Sequence, residues 1–261
     1  MTYGEFEIHA LPEGRFTVGV DKVFVPYADG DPPRPGTLFV AISPFLVRTP
    51  SDVLLLDTGL GEYATGRGTD FLLDGLARHG VTREAVTKVL LSHLHFDHAG
   101  GCVATVMGEA TPTFPNAEYV VQEGELSAPY GDLSDAARDR IVAALDREGQ
   151  FVTVEGDGWL SDEIEYAHTG GHSRDHQLFR LHTAGRVVLF GGDVLPTPGQ
   201  VTRRFQAKYD HDGAASQAWR TQLAQEAAEG GHLALFYHST DALAGFIDEA
   251  SGGFRVEPVD V

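Results

Sequence analysis

Cysteine, basic side chains and long hydrophobic runs are scarce in this chain of 261 residues, and each scarcity excludes a class of protein. A single cysteine, Cys102, cannot close an intrachain disulfide, so the fold does not depend on an oxidising compartment. The sequence has only 19 Lys and Arg but 38 Asp and Glu. The resulting formal charge of −19 argues against nucleic acid or anionic membrane as a partner. The apolar runs, such as 53–56 and 187–190, are far too short to span a bilayer.

The remaining composition is that of an ordinary globular chain, with 42% hydrophobic and 10% aromatic residues. The N-terminal ten residues contain Glu5 and Glu7 but no basic segment followed by an apolar run, so we expect no secretory signal and a cytoplasmic protein. No repeat, low-complexity tract or linker interrupts the sequence. We therefore expect a single domain over residues 1–261.

Short β-rich runs and two helical patterns indicate the fold class. Apolar residues recur at every fourth position in 134–148 and in 214–228, as they do on the buried face of a helix. Several β-rich runs are continuously apolar, which is typical of strands covered on both faces. These runs lie at 16–20, 38–42, 45–48, 53–56, 88–91, 118–122, 151–154, 164–167, 177–182, 187–190 and 233–237. Their order predicts an α+β fold with helices packed outside two central sheets.

The segment SHLHFDHAGG, at 92–101, carries the strongest chemical signal. Because residues i and i+2 of an extended chain point the same way, His93 and His95 can reach one metal ion together. Asp97 and His98 follow directly, before two glycines that permit a sharp turn. Adjacent side chains diverge, which suits these two residues to a second ion beside the first. Imidazole and carboxylate are ligands that zinc and similar divalent ions prefer.

Four further motifs follow the order of the metallo-β-lactamase superfamily, which the sequence resembles over most of its length. The matching segments are LLLDTG ending the 53–56 run with Asp57, TGGH with His172, VVLFGGD with Asp193, and FYH with His238. The resemblance implies the αββα four-layer sandwich of that family.

The resemblance also implies a dinuclear metal site. His93, His95 and His172 would bind one ion, Asp97, His98 and His238 the other, and Asp193 would bridge them. Asp57 is expected to support the ligands from behind, and so is His176, four residues after His172. Zinc is the first expectation for the two divalent ions, while Mn, Fe and Co suit the same ligands. The family's chemistry would be attack on an ester by a hydroxide shared between the ions, with Asp97 passing a proton to the leaving alkoxide.

Details of the ligand set favour the quorum-quenching lactonase group within the superfamily. The three-histidine β-lactamases lack a bridging carboxylate at the position of Asp193. The flavodiiron branch has glutamate at the position of His95. Glyoxalase-II-like thioesterases usually add a C-terminal helical domain, and nucleases need a positive groove. The expected substrate is thus a small ester or lactone, for example an N-acyl homoserine lactone. Phosphotriester hydrolysis and other esterase or thioesterase activity are the alternatives, and the complete ligand set argues against a non-catalytic binding module.

One position departs from the known lactonases, which place a tyrosine three residues after the bridging aspartate to steady the substrate carbonyl. This chain has Pro196 there, so Tyr209 and Tyr237 are the candidates to take over that role. The remaining candidates for substrate contact are the aromatic residues Phe24, Tyr27 and Phe205.

Overall fold

The computed structural model describes residues 1–20, 22–28, 30–32, 34–64 and 69–261. Two seven-stranded sheets form the centre of this part of the chain. The N-terminal sheet has the strand order β1-β2-β6-β7-β8-β11-β12. Its strands are β1 (Thr2–Tyr3), β2 (Phe6–Ala10), β6 (Phe45–Arg48), β7 (Val53–Leu56), β8 (Lys88–Leu90), β11 (Glu118–Gln122) and β12 (Phe151–Val154).

The C-terminal sheet contains consecutive strands, β13 to β19 in order. They are β13 (Gly158–Ser161), β14 (Ile164–His168), β15 (Gln177–Thr183), β16 (Arg186–Phe190), β17 (Leu233–Leu235), β18 (Ala244–Ala250) and β19 (Gly253–Val259). Two small sheets accompany the large ones. One joins β4 (Phe24–Pro26), β3 (Gly14–Val18) and β5 (Leu38–Ile42), and the other joins β9 (Val103–Val106) and β10 (Glu109–Pro112).

Five α-helices are described, and the three longest cover the outer faces of the two large sheets. They are α1 (Asp70–Arg78), α2 (Phe96–Ala99), α3 (Leu133–Glu148), α4 (Pro198–Val201) and α5 (Gly213–Gly230), with short 3-10 turns at Gly61–Tyr63, Arg83–Ala85, Gly100–Cys102, Glu123–Leu126 and Gly192–Val194. Asp132 and Asp212 cap the N-termini of α3 and α5 with their carboxylates. No helix among the described residues is long and apolar enough to cross a membrane.

Three hydrophobic layers hold these elements together. In β7, Leu54 and Leu56 pack between the two large sheets, whereas Leu55 packs toward α1 and α3. In β16, Val188 also faces the inter-sheet core, and Leu189 faces α5. This double-sided burial explains the continuously apolar runs and confirms the predicted αββα sandwich, in the α+β class.

Candidate metal centre

The loop after β8 presents its histidines because the turn after β7 fixes its path. The Thr58 amide donates to the His98 carbonyl over 2.7 Å, and the Thr58 hydroxyl donates to the same oxygen over 3.0 Å. The two backbones come so close that a Cβ on Gly101 would lie 2.2 Å from the Thr58 carbonyl oxygen. Only glycine fits there, so the glycine pair of the motif sets the distance between the two turns.

Three of the predicted ligands form one tight group. Nε2 of His93 lies 2.7 Å from Nδ1 of His95, and Nε2 of His172 lies 2.9 Å from the same Nδ1 atom. These three atoms lie within 4.8 Å of one another, close enough to ligate one ion. His172 reaches this position from the loop between β14 and β15, in the other large sheet. The group therefore bridges the two halves of the sandwich.

A second group lies directly beside the first. The ligand atoms of Asp97, His98 and His238 are also within 4.8 Å of one another, and those of His93, His98 and Asp193 form an intermediate set. Asp193 Oδ2 lies 3.0 Å from His172 Nε2, while its Oδ1 lies 3.0 Å from His238 Nε2. Asp193 therefore spans both groups, as the bridging ligand of a dinuclear centre would.

In three of the histidines the outer ring nitrogen is hydrogen-bonded, which leaves the inner nitrogen for a metal ion. Nδ1 of His98 faces Asp57 Oδ2 at 2.7 Å, Nδ1 of His172 faces Asp210 Oδ1 at 2.9 Å, and Nδ1 of His238 faces the Ala41 carbonyl at 2.9 Å. Carboxylates and carbonyls accept hydrogen bonds, so each Nδ1 carries the hydrogen. With a metal ion bound, each ring would be neutral and would direct its Nε2 lone pair inward.

This arrangement fits divalent cations. Asp193 Oδ1 is buried and has no hydrogen-bond donor among the described residues, although the Nε2 atoms of His98 and His238 are close to it. Burial would lower the pKa of His98, but the carboxylates of Asp193, Asp97 and Asp57 outweigh it and hold that pKa well above its usual value. Burial and the neighbouring imidazoles hold the pKa of His93 well below its usual value. Converging lone pairs and a buried carboxylate need a positive charge between them.

The two expected supporting residues both touch the ligand set. Asp57 accepts hydrogen bonds from the Ser92 amide and hydroxyl, each over 2.7 Å, in addition to facing His98. Nδ1 of His176 lies 2.7 Å from the Thr169 hydroxyl, and its Nε2 accepts from the Asp193 amide over 3.2 Å. Asp57 thus orients one of the predicted histidine ligands, His98, and His176 holds the backbone of Asp193, the predicted bridging residue.

Comparison with known proteins decides the family, because the profile of the Metallo-beta-lactamase superfamily matches residues 38–238. The chain belongs to the metallo-β-lactamase superfamily. The match includes every predicted metal ligand from His93 to His238.

Individual members of the superfamily are more distant. An N-acyl homoserine lactonase from Bacillus sp. is 28% identical over 165 residues, which cover 56% of this chain and 60% of that lactonase. An atrochrysone carboxyl ACP thioesterase from Passalora fulva is 28% identical over 165 residues, covering 63% of this chain and 41% of the thioesterase. The chain thus spans less than two thirds of the length of these relatives.

Solved structures of the superfamily share the fold across the whole chain. AidC, described as a dizinc quorum-quenching lactonase in complex with a product, superposes with a TM-score of 0.80 at 20% identity, covering 100% of this chain and 97% of AidC. The hydrolase AbOPH superposes with a TM-score of 0.81 at 21% identity, with the same coverage. At these identities the likeness concerns the fold.

A cleft opens onto the metal-binding groups of this superfamily member. His95, Asp97, His172, Asp193 and His238 form its polar floor. Its apolar wall comes mainly from the small sheet of β3, β4 and β5 and from α2, and consists of Val18, Phe24, Leu38, Val40 and Phe96. Lys22, Asp132, Ser134 and Tyr209 complete the lining.

The structure brings two of the five substrate-contact candidates to this cleft, Phe24 and Tyr209. Tyr27 does not line it, because its ring packs on Phe39 and its hydroxyl donates to the Asp31 carbonyl. Phe205 also lies outside the lining, where its carbonyl accepts a hydrogen bond from Arg220.

Tyr237 is corrected from a substrate contact to a positioning residue. Its side chain is fully buried, its ring stacks on His98 with centroids 4.2 Å apart, and its hydroxyl donates to the Asp97 carbonyl over 2.7 Å. A side chain without exposed surface cannot touch a substrate in the cleft. It can hold both Asp97 and His98 in place.

Three buried carboxylates near the centre escaped sequence reasoning. Glu125 accepts from the Leu94 amide over 2.9 Å, from the Ser173 hydroxyl over 2.5 Å and from the Tyr130 hydroxyl, so it ties the two ligand loops together. Asp210 orients His172, as described above. Glu13 accepts from the Leu60 amide over 2.9 Å, and burial, reinforced by the charge of Asp97, raises the pKa of Glu13 to about 8. None of the three lies in a recognisable motif, so no signal in the sequence could have identified them.

Proposed function

We propose that this chain is a metal-dependent hydrolase that opens a lactone or similar ester, with an N-acyl homoserine lactone as the first candidate substrate. The observation that carries the proposal is the convergence of seven candidate metal ligands, five of which form the floor of a cleft with an apolar wall. The similarity to the Bacillus lactonase supports the same reading.

The residues that would hold the ions are those of the two groups. His93, His95 and His172 would take one divalent ion, Asp97, His98 and His238 the second, and Asp193 would contact both. Zinc is the first choice for both positions. When bound, two such ions would supply a Lewis acid for the ester carbonyl and activate a water molecule near neutral pH.

The protein's own side chains have separate tasks in this reaction. Asp97 lines the cleft, and its carboxylate would accept the proton released when water attacks the ester carbonyl and pass it to the leaving alkoxide of the opened ring. The apolar wall offers a surface for the aliphatic part of the substrate, where burial of methylene groups contributes about 0.8 kcal/mol each. Phe24 belongs to this wall and packs edge-on against Phe96, with ring centroids 5.5 Å apart.

The lactonases have a tyrosine at the position that Pro196 occupies in this chain. Tyr209 is our candidate to take over the role of that tyrosine, which is to hold the substrate carbonyl. It lines the cleft beside His172, with ring centroids 5.9 Å apart, and is partly exposed. Burial, with the charges of Asp193 and Asp210, raises the pKa of its hydroxyl, which keeps the proton available for donation to a substrate carbonyl.

A substrate panel tests the proposal. Metal-reconstituted protein is assayed with N-hexanoyl homoserine lactone, a linear ester, a thioester, a β-lactam and a paraoxon-like phosphotriester. We expect kcat/KM for the lactone to exceed every other value by about a hundredfold or more, a difference of about 2.7 kcal/mol in transition-state stabilisation. If the phosphotriester or the thioester is turned over faster than the lactone, the lactone proposal is wrong and that compound's class is the substrate class.

A further inference from the structure

A second cavity lies on the side of the C-terminal sheet, between α4, the segment that follows it, α5 and the turn between β18 and β19. Its volume is about 190 Å³. Its lining contains three arginines, Arg203, Arg204 and Arg220, and no Asp or Glu. This is unexpected in a chain in which acidic residues outnumber basic ones by 38 to 19. A concave surface of one charge sign concentrates counter-ions of the other sign.

Arg220 is the anchor of this cavity. Its side chain is only 3% exposed, and the guanidinium donates through Nε to the Val194 carbonyl over 2.9 Å and through Nη1 to the Phe205 carbonyl over 2.8 Å. Both partners are neutral, and among the described residues no carboxylate lies within ion-pair distance of Arg220, so the charges of Asp210 and Asp193 act on it only from farther away. A buried cation without a carboxylate in contact is costly, and an anion in the cavity would offset that cost.

The other lining residues add hydrogen-bond donors of the kind that recognise oxyanions. Arg203 and Arg204 are exposed, so their guanidinium groups can close over a bound ligand. The amide groups of Gln200 and Gln217 and the hydroxyl groups of Thr202 and Thr221 complete the polar lining. Planar guanidinium groups match the oxygen pairs of phosphate better than any other side chain does.

We propose that this cavity binds a phosphate-class oxyanion, either free or as the phosphate group of a small organic molecule. The ligand would lie against Arg220, which lines the cavity. Because Arg220 also holds the Val194 carbonyl, directly after Asp193, occupancy would stabilise the segment that carries the bridging ligand.

Calorimetric titration of the metal-loaded protein with inorganic phosphate, at constant ionic strength, tests the proposal. The double variant Arg203→Gln/Arg204→Gln should bind phosphate about tenfold more weakly or worse, because it loses two charge-assisted contacts. Both side chains are exposed, so the variant should fold, and its thermal unfolding in the absence of phosphate serves as the check. Arg255→Gln is the matched control. Arg255 lies in the β18–β19 hairpin, whose turn lines the cavity, but Arg255 itself does not line it and pairs with Asp248 over 3.0 Å.

The comparison of ligands identifies the source of the anion. Acetate, at the same concentration, should not compete with phosphate. Tighter binding of glycerol 3-phosphate than of inorganic phosphate would identify the ligand as a phosphomonoester, and the reverse order would identify the free ion. Absence of phosphate binding at millimolar concentration would overturn the proposal. So would binding that is unchanged in the double variant and competitive with substrate, because the phosphate would then occupy the metal centre.

Discussion

At the scale of single residues, three of the seven proposed metal ligands are held by a hydrogen-bond partner outside the cluster. Asp57 fixes His98, Asp210 fixes His172, and the Ala41 carbonyl fixes His238. Such outer contacts select the tautomer and the ring orientation, and their loss typically weakens metal binding by about ten- to a hundredfold. The geometry of the cluster is therefore built into the protein by hydrogen bonds from several distant segments of the chain.

Tyr209 provides the residue-scale prediction. Tyr209→Phe removes only the hydroxyl, so we expect kcat/KM for the lactone to fall about tenfold, the effect of one lost hydrogen bond to a developing charge. Metal content should stay unchanged. Tyr27→Phe is the matched control, because Tyr27 lies outside the cleft lining, and it should retain full activity. Equal kcat/KM for both variants and the unaltered protein would remove Tyr209 from the mechanism.

At the scale of elements, the sequence pattern predicted the buried strands better than the exposed ones. The runs at 38–42, 45–48, 53–56, 118–122 and 151–154 coincide with β5, β6, β7, β11 and β12. The prediction misses the strands β1, β2, β4, β9, β10 and β13, and also the longer β18 and β19. The pattern of β18 and β19 is broken by Asp248, Glu249, Arg255 and Glu257, and Pro258 interrupts the strand signal. β19 is the edge strand of the C-terminal sheet and β18 is its neighbour, and solvent at a sheet edge permits polar side chains.

In the candidate site, too, the sequence predicts the residues that belong to local motifs and misses those that arrive from distant segments of the chain. The sequence indicates all seven proposed ligands: the segment 92–101 does so by its own pattern, and His172, Asp193 and His238 do so through motifs that resemble those of the family. Glu13, Glu125 and Asp210 could not be named, because each reaches the centre only through pairing of distant segments. Tyr237 was assigned to substrate, since burial of a tyrosine cannot be read from its neighbours in the sequence.

Gly101 provides an element-scale prediction about the turn that positions the ligands. Gly101→Ala would place a Cβ 2.2 Å from the Thr58 carbonyl oxygen, so the turns after β7 and β8 must separate. We expect a loss of about 2 kcal/mol or more in the free energy of unfolding, measured by urea denaturation. The control is Gly253→Ala, where a Cβ meets nothing within 4 Å. If Gly253→Ala lost as much unfolding free energy as Gly101→Ala, or more, the result would contradict the close packing of these turns.

Asp52 provides a second prediction at this scale, far from the metal-binding groups. Burial alone would raise the pKa of Asp52, but hydrogen bonds from Lys88, at 2.7 Å, and Thr87, at 2.7 Å, outweigh it and lower the pKa below its usual value. A lowered folded-state pKa stabilises the protein above the unfolded pKa of about 3.9, and this contribution is lost as the pH falls through the folded value.

The expected result for Asp52→Asn follows from that sign. At pH 7 the variant should lose at most about 1 kcal/mol in the free energy of unfolding, since the pair is partly screened by solvent. The difference from the unaltered protein should shrink as the pH falls from about 4 through the lowered folded-state pKa, below which Asp52 carries no charge either. Urea denaturation across this pH range measures it, and a difference that grows toward acid would show that the ion pair does not stabilise the fold.

At the scale of the whole molecule, the excess of acidic residues lies mostly outside the proposed metal centre. The net charge of −19 is spread over a surface on which acidic side chains dominate, whereas the proposed centre gathers five histidines and two aspartates between the two large sheets. The second cavity gathers three arginines. One of them, Arg220, donates to the Val194 carbonyl, so the proposed metal centre and the proposed anion cavity both involve the segment that follows β16.

The central claim is that the two groups of ligands hold two divalent ions on which lactone hydrolysis depends. Metal-free protein, prepared with a chelator, is titrated with zinc while turnover of N-hexanoyl homoserine lactone is recorded. Turnover should rise until two equivalents of zinc are bound per chain and then level off. His93→Ala should gain no comparable turnover, whereas His182→Ala, a substitution in β15 outside the centre, should respond like the unaltered protein. Full turnover of the metal-free protein, or saturation by a single ion, would contradict the account.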